Sequence, residues 1–262
     1  MKNLLSVYSL FVFIPVALAL ENLKPDAHTL IFIASALAII PIARLISAST
    51  ENLAHYTGQA VGGLLNATFG NFPELIIVLM ALHAGLHEMV LAALIGGVLA
   101  NLLLALGASF FVGGLRHHTQ DFNPVSSRVY SSMMFIAVVS MSVPSAFNRL
   151  FGGEDLLRQE YLLNVGLAAT LLLTYILYLV FMLKTHPDFF KSEGGEETED
   201  EGHWSISRAV FLLVIASVLA AWMSELLVGS AEATGKALGM TTTFIGMIIL
   251  AIVGGAAESL SA

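Results

Sequence analysis

The chain contains no cysteine, and only 11% of its 262 residues are Asp, Glu, Lys or Arg. The first absence excludes a disulfide framework and any thiolate metal site. The second excludes an ordinary water-facing surface, since soluble domains carry about 25% charged residues. No Walker sequence and no Gly-rich nucleotide fingerprint occurs, so nucleotide-driven work within this chain is not expected. The net charge of −8 gives nucleic acid no purchase, and much of it lies in one run, Glu193 to Glu201. What remains is apolar: 57% hydrophobic residues and a mean hydropathy of +0.84. Lipid is the natural solvent for most of these side chains.

A membrane helix needs about 20 mostly apolar residues. Stretches that meet this lie at Leu4–Leu20, Thr29–Ser47, Gly58–Leu82, Met89–Val112, Val129–Phe147, Leu162–Leu183, Ser207–Val228 and Thr241–Ala262. They are continuous and do not alternate, which favours helices over a β-barrel. The expected fold is an all-α integral membrane protein of about eight transmembrane helices. Met1 to Leu20 lacks a small-residue cleavage pattern and is read as a retained helix. With the N-terminus inside, Lys2, Arg44, Arg116, Arg128, Lys184, Lys191 and Arg208 are cytoplasmic, and Lys24, Arg149, Arg158 and Lys236 are outside. The excess of basic residues inside favours that orientation. It places the acidic segment, with Glu196, Glu197, Glu199, Asp200 and Glu201, in the cytoplasm. That segment reads either as a solvated linker or as a regulatory strip that concentrates cations.

The chain repeats itself across this divider. A shift of 184 residues aligns Thr57 with Thr241, Gly62 with Gly246, Ala67 with Ala251, Gly70 with Gly254 and Glu74 with Glu258. The two copies start five spans apart, and an odd offset reverses the second copy in the membrane. This is the inverted-repeat plan of many secondary transporters. The expected organisation is an extra helix at 1–28, a five-helix repeat at 29–185, the acidic loop at 186–206, and two helices of a second, truncated repeat at 207–262.

Each copy carries a carboxylate inside an apolar span. A charge there costs ~2.5–3.5 kcal/mol on insertion scales, which makes it a candidate functional group. Glu74 follows Gly70-Asn71-Phe72-Pro73. Gly70 weakens the helix, Pro73 removes a donor, and Asn71 is expected to cap a new helix from Phe72. Glu74 then occupies the third position, where free amides and the helix dipole favour a carboxylate. Glu258 lies in Gly254-Gly255-Ala256-Ala257-Glu258-Ser259. Asn66, Thr68, Asn101, Glu225, Ser224 and Ser230 are further polar groups within spans; singly, each reads first as a helix–helix hydrogen-bonding group. Glu225 differs in being another acid in an apolar helix. Hard divalent cations take oxygen ligands, and two facing glutamates, an amide and carbonyls freed at two breaks supply them. His83 and His87 read as flanks of a turn, and with His117 and His118 they do not complete an oxygenase or zinc-protease motif.

The segment Gly62-Gly63-Leu64-Leu65-Asn66-Ala67-Thr68-Phe69-Gly70-Asn71-Phe72-Pro73-Glu74 resembles the first signature of the calcium/proton exchanger family, a branch of the calcium:cation antiporters. Asn101-Leu102-Leu103-Leu104, Ser224-Glu225-Leu226-Leu227-Val228 and Phe244-Ile245-Gly246-Met247-Ile248 are similar to further family segments. The resemblance implies Ca2+/H+ exchange by alternating access, with Glu74 and Glu258 as the cation- and proton-binding carboxylates. Gly70, Asn71, Gly254 and Asn101 complete the implied site, and Asn66, Thr68, Glu225 and Ser259 are accessory. No cofactor is implied; Ca2+ and H+ are cargo, the bilayer is the surrounding partner, and homo-oligomerisation stays open. The implied location is a bacterial inner membrane. The second signature departs from the family pattern, with Gly255 in place of an Asn and Ser259 in place of a His. The family carries about three further spans, so a C-terminally truncated chain is expected. Other cations on the same fold (Na+, K+ or Mn2+), or a non-transporting structural subunit, are the alternatives.

Overall fold

The structure, a computed structural model, describes residues 7–119, 122–151, 157–186 and 204–256, with backbone alone at 57–67 and 157. Among the described residues there are helices and no strands. We number them α1 Phe13–Leu23, α2 His28–Phe69, α3 Phe72–His83, α4 His87–Arg116, α5 Pro124–Phe151, α6 Leu157–Val180, α7 Ile206–Leu238 and α8 Thr242–Gly254. Five of these regions are long and apolar enough to cross a membrane, and α1, α3 and α8 are shorter apolar helices. The expected all-α membrane architecture is therefore the observed one.

Helix lengths differ from the sequence reading in a systematic way. A turn was expected between Ser47 and Gly58, yet α2 runs unbroken for 42 residues, about 60 Å at 1.5 Å per residue. Its polar stretch does not need water to interrupt it. Ser49 donates to the Leu45 carbonyl at 2.7 Å, Thr50 to Ile46 at 2.9 Å and Asn52 to Ala48 at 2.8 Å. Each of these three donors is satisfied within its own helix, and the stretch is tied further to the start of the later half by Trp204, whose amide donates to Asn52 Oδ1 at 3.0 Å and whose carbonyl accepts from Tyr56 at 2.9 Å. Similarly α7 passes the expected end at Val228 and stops at Gly239, whose φ of 69° supplies a left-handed cap. Ser230 bonds back to the Leu226 carbonyl, and Glu232 pairs with Lys236 one turn later.

The chain forms two compact units. The first comprises 1–118 and 202–262, the second 119–201. In the first, α2 lies along α7, α3 packs on α7, and α4 packs on α8. Its core is aliphatic, with Ile39, Ile42, Ile46, Ile77, Met89, Met223, Leu227 and Ile245 buried. Two close crossings fasten α4 to α8. A Cβ on Gly96 would collide with the Met247 carbonyl oxygen, and one on Gly246 would stand 2.6 Å from the Met89 carbonyl oxygen. Glycine is what lets these backbones touch. The second unit contains α5 and α6, which pair as a hairpin.

Candidate cation site

The expected break in the first signature is present. α2 ends at Phe69, Gly70 and Asn71 form a turn, and α3 starts at Phe72. Pro73 sits in the first turn, where its missing N–H costs no intrahelical bond. Glu74 follows as the third residue of the helix. One detail is corrected: Asn71 makes no side-chain cap bond. Its backbone, at φ −90° and ψ 11°, lies outside the extended region from which a capping side chain reaches the first amides. Asn71 instead lines a cavity.

The second copy breaks at the matching place. Helix α8 ends at Gly254, and Gly255 adopts φ −81° and ψ 8°. Gly255 stands 184 residues after Asn71, and the two backbones have nearly the same conformation. Unlike Asn71, the start of α8 does carry a cap: Thr241 accepts from the Phe244 amide at 3.1 Å. A π-helical segment, Ile245–Leu250, precedes the break, and a second one, Ala100–Ala105, holds Asn101 in α4. Such segments rotate the side chains beyond them and recur at functional sites.

The two breaks meet. A Cβ on Gly254 would stand 2.7 Å from Glu74 Cγ, so the Glu74 stem lies directly on the α8 backbone. A Cβ on Gly255 would stand 3.2 Å from Glu74 Oε1 and 3.6 Å from Asn101 Oδ1. A carboxylate oxygen and an amide oxygen from two different helices thus converge on one point of the second break. Glu74 Oε1 is shielded from solvent. Beside it lies a cavity of about 280 Å³ lined by Asn71, Glu74, Gly97, Asn101 and Ala251, with aliphatic walls from Ile77 and Leu250. Oxygen donors in an apolar, concave surround match the preference of hard cations.

Of the other sequence candidates, Gly70 forms the turn and Thr68 is exposed on the last turn of α2. Neither lines the cavity. Glu225 is exposed on α7 and does not line it either, while its neighbours Met223 and Ser224 are buried. Glu258, Ser259, the acidic residues Glu196, Glu197, Glu199, Asp200 and Glu201, and the Asn66 side chain lie outside the described residues. His83 and His87 flank the turn at Gly85, whose φ is 76°. Gly97 was not singled out in the sequence. Its signal was the Gly96-Gly97 pair inside α4, one glycine serving the crossing and the other the cavity.

Residues 27–184 and 208–262 match the sodium/calcium exchanger protein family. The chain belongs to that family. This exchanger chain is 40% identical over 235 residues to the Ca2+/H+ antiporter ChaA of Bacillus subtilis, covering 88% of the chain and 66% of the relative. It is 39% identical over 272 residues to a Ca2+/H+ antiporter of Synechocystis, covering 97% and 72%. The solved structure of native YfkE superposes with a TM-score of 0.74 at 34% identity, covering 95% of this chain and 70% of that one. This chain therefore spans roughly two thirds of the length of these relatives.

Proposed function

We propose that this protein is a secondary antiporter that exchanges Ca2+ for H+ by alternating access. The observation that carries the reading is the convergence of Glu74 Oε1 and Asn101 Oδ1 on the break at Gly254-Gly255. In this reading Glu74 and Glu258 bind either one Ca2+ or two protons, and both loaded states are neutral. The empty site bears two negative charges, a burden of ~5–7 kcal/mol on insertion scales. At ~1.4 kcal/mol per tenfold, empty reorientation is slower by several decades, so exchange outruns leak. Asn101 and Asn71 contribute amide oxygens, and the two breaks contribute carbonyls. The two copies rock as inverted repeats around the site, at 29–185 and from 207 onward, with 1–28 as an added helix. The N-terminus and the loop at 186–206 face the cytoplasm of a bacterial inner membrane, and no catalytic conversion is involved. The Ca2+/H+ antiporter relatives in Bacillus subtilis and Synechocystis support the choice of ions.

A second reading keeps the mechanism and changes the cation. It is favoured by Gly255, which offers no side-chain oxygen where the first copy has Asn71. The test of both is flux in vesicles containing the protein and a calcium dye. An imposed pH step is expected to drive Ca2+ across; movement of Na+, K+ or Mn2+ with no Ca2+ flux selects the second reading. No cation-dependent proton movement at all leaves a structural subunit.

Two further outcomes follow in the same assay. Gly254→Ala puts a methyl group against Glu74 Cγ and displaces the carboxylate. Because a 1 Å misplacement can cost about a hundredfold, flux is expected to fall by roughly ten- to a hundredfold. The side chain it meets is flexible, so the unfolding midpoint should barely move. Wild-type flux from Gly254→Ala removes Glu74 from the site. Deleting Glu196 to Glu201 is expected to alter apparent Ca2+ affinity modestly, with transport retained. Loss of transport in a folded deletion variant assigns the acidic strip to the mechanism itself.

A further inference from the structure

Two side chains of α2 hold both backbone polar groups of Trp204, the residue just before the Ser205 cap of α7. The Trp204 amide donates to Asn52 Oδ1 at 3.0 Å, and its carbonyl accepts from the Tyr56 hydroxyl at 2.9 Å. Asn52 uses the other half of its amide on the Ala48 carbonyl at 2.8 Å, which fixes the direction of Oδ1. The Arg208 guanidinium lies over the Trp204 ring, 5.1 Å from its centroid, inside the roughly 6 Å reach of a cation–π contact. The two helices are thus clasped where α7 begins and where α2 heads toward the first break.

The opposite end of this antiparallel pair is built differently. There Asp26, His28, Thr29 and Leu30 share a cavity of about 230 Å³ with Ala233 and Ala237 of α7. Among the described residues no side-chain hydrogen bond crosses between the helices at that end. The 184-residue shift carries Asn52 and Tyr56 onto Lys236 and Met240, and Leu20 onto Trp204. Lys236 pairs with Glu232 of its own helix, the Met240 amide bonds the Gly235 carbonyl, and the Leu20 carbonyl accepts from Lys24. The second copy therefore builds no clasp. The clasp in the first is also of a kind that opens. Tyr56 is 47% exposed and Arg208 is exposed. Water replaces such bonds readily, so each shifts an equilibrium by only about two- to tenfold. Because α2 stays helical from Tyr56 to Phe69, a displacement at the clasp reaches the Gly70 break about 21 Å away.

We propose that Asn52, Tyr56, Trp204 and Arg208 form a reversible clasp that holds one of the two access states and opens in each transport cycle. The inference rests on the alternating-access reading above. When two inverted copies rock around a shared site, a contact made by one copy and not by the other belongs to one of the two states.

The test exploits the absence of native cysteine. Asn52→Cys together with Trp204→Cys supplies the only thiol pair. It is joined by oxidation or, where the spacing exceeds that of a disulfide, by a short bis-methanethiosulfonate reagent. Ca2+ flux under a pH step is read in vesicles before joining, after joining and after reduction. Joining is expected to lower flux more than tenfold, and reduction to restore it. Flux in the joined protein equal to that of its reduced form overturns the proposal, because the contact then persists through the cycle. So does a pair that neither treatment joins, since the two residues are then not neighbours. Tyr56→Phe provides a second reading, because it deletes one bond and keeps the ring. Half-saturating Ca2+ measured from the two faces of the membrane should move in opposite directions, by about two- to tenfold, with the unfolding midpoint unchanged. A merely structural contact moves neither value or both together, and that result also overturns the clasp. Wild-type vesicles that carry no cation flux refute the exchange reading and the clasp with it. Normal wild-type flux that joining leaves untouched refutes the clasp alone.

Discussion

Glu74→Gln is expected to abolish Ca2+/H+ exchange while the protein stays folded. The amide keeps the shape of the side chain that lies on Gly254 and points an oxygen toward Gly255. What it loses is the ability to take up a proton and to balance the cation. With one carboxylate removed, the Ca2+-loaded site carries one net positive charge. A single charge in the membrane costs ~2.5–3.5 kcal/mol, so reorientation with Ca2+ should slow by roughly a hundredfold or more. Glu74→Asp keeps the charge but withdraws the oxygen from the point it shares with Asn101, and should retain a measurable fraction of the flux. The measurement is dye-reported Ca2+ uptake under a pH step, alongside the unfolding midpoint in detergent. Uptake in Glu74→Gln at the wild-type rate would falsify the assignment of Glu74 as the coupling group.

Gly96→Ala is expected to have the largest effect on stability, and Gly97→Ala nearly none. The two positions are adjacent on α4 and have the same local helix, so helix propensity favours alanine equally at both. They differ in what a methyl group meets. At Gly97 nothing lies within 4 Å of an added Cβ, whereas at Gly96 the Met247 carbonyl oxygen, carbon and Cα all stand within 2.7 Å. These are backbone atoms of the π-helical segment in α8, and no rotamer change moves them aside. The helices must separate, which opens the packing around buried Met89, Ala92 and Ile245. Overpacking of this kind costs about 1–3 kcal/mol. Separation also carries the second break away from Glu74, so flux should fall with stability. Thermal unfolding of the two variants side by side decides it; indistinguishable midpoints mean that α4 and α8 do not cross at Gly96.

Little of the membrane architecture needed tertiary information. Low charge and long apolar runs suffice, because no other solvent accommodates them. The first break was equally legible, since Gly70 and Pro73 act on their own backbone whatever surrounds them. Helix ends were less so. Whether Ser49, Thr50 and Asn52 mark a turn or fold back onto α2 depends on carbonyls four residues earlier, which serve both outcomes. Asn71 shows the same limit: its residue type suits a cap, but at its backbone angles it makes no cap bond, and the residue lines the cavity.

By itself the sequence determined that a carboxylate would sit at a helix break inside an apolar span, and that a second glycine-rich break would recur 184 residues later. The cost of burying charge and the stereochemistry of proline and glycine are local, so they can be read without a fold. Tertiary structure alone decided that the breaks touch, that Asn101 rather than Glu225 faces Glu74 Oε1 beside Gly255, and that Gly96 and Gly246 bring α4 onto α8. Those are distances between residues far apart in the chain. They are set by how α4 and α8 cross and by the rotation that the π-helical turns impose, and no spacing along one helix encodes either quantity.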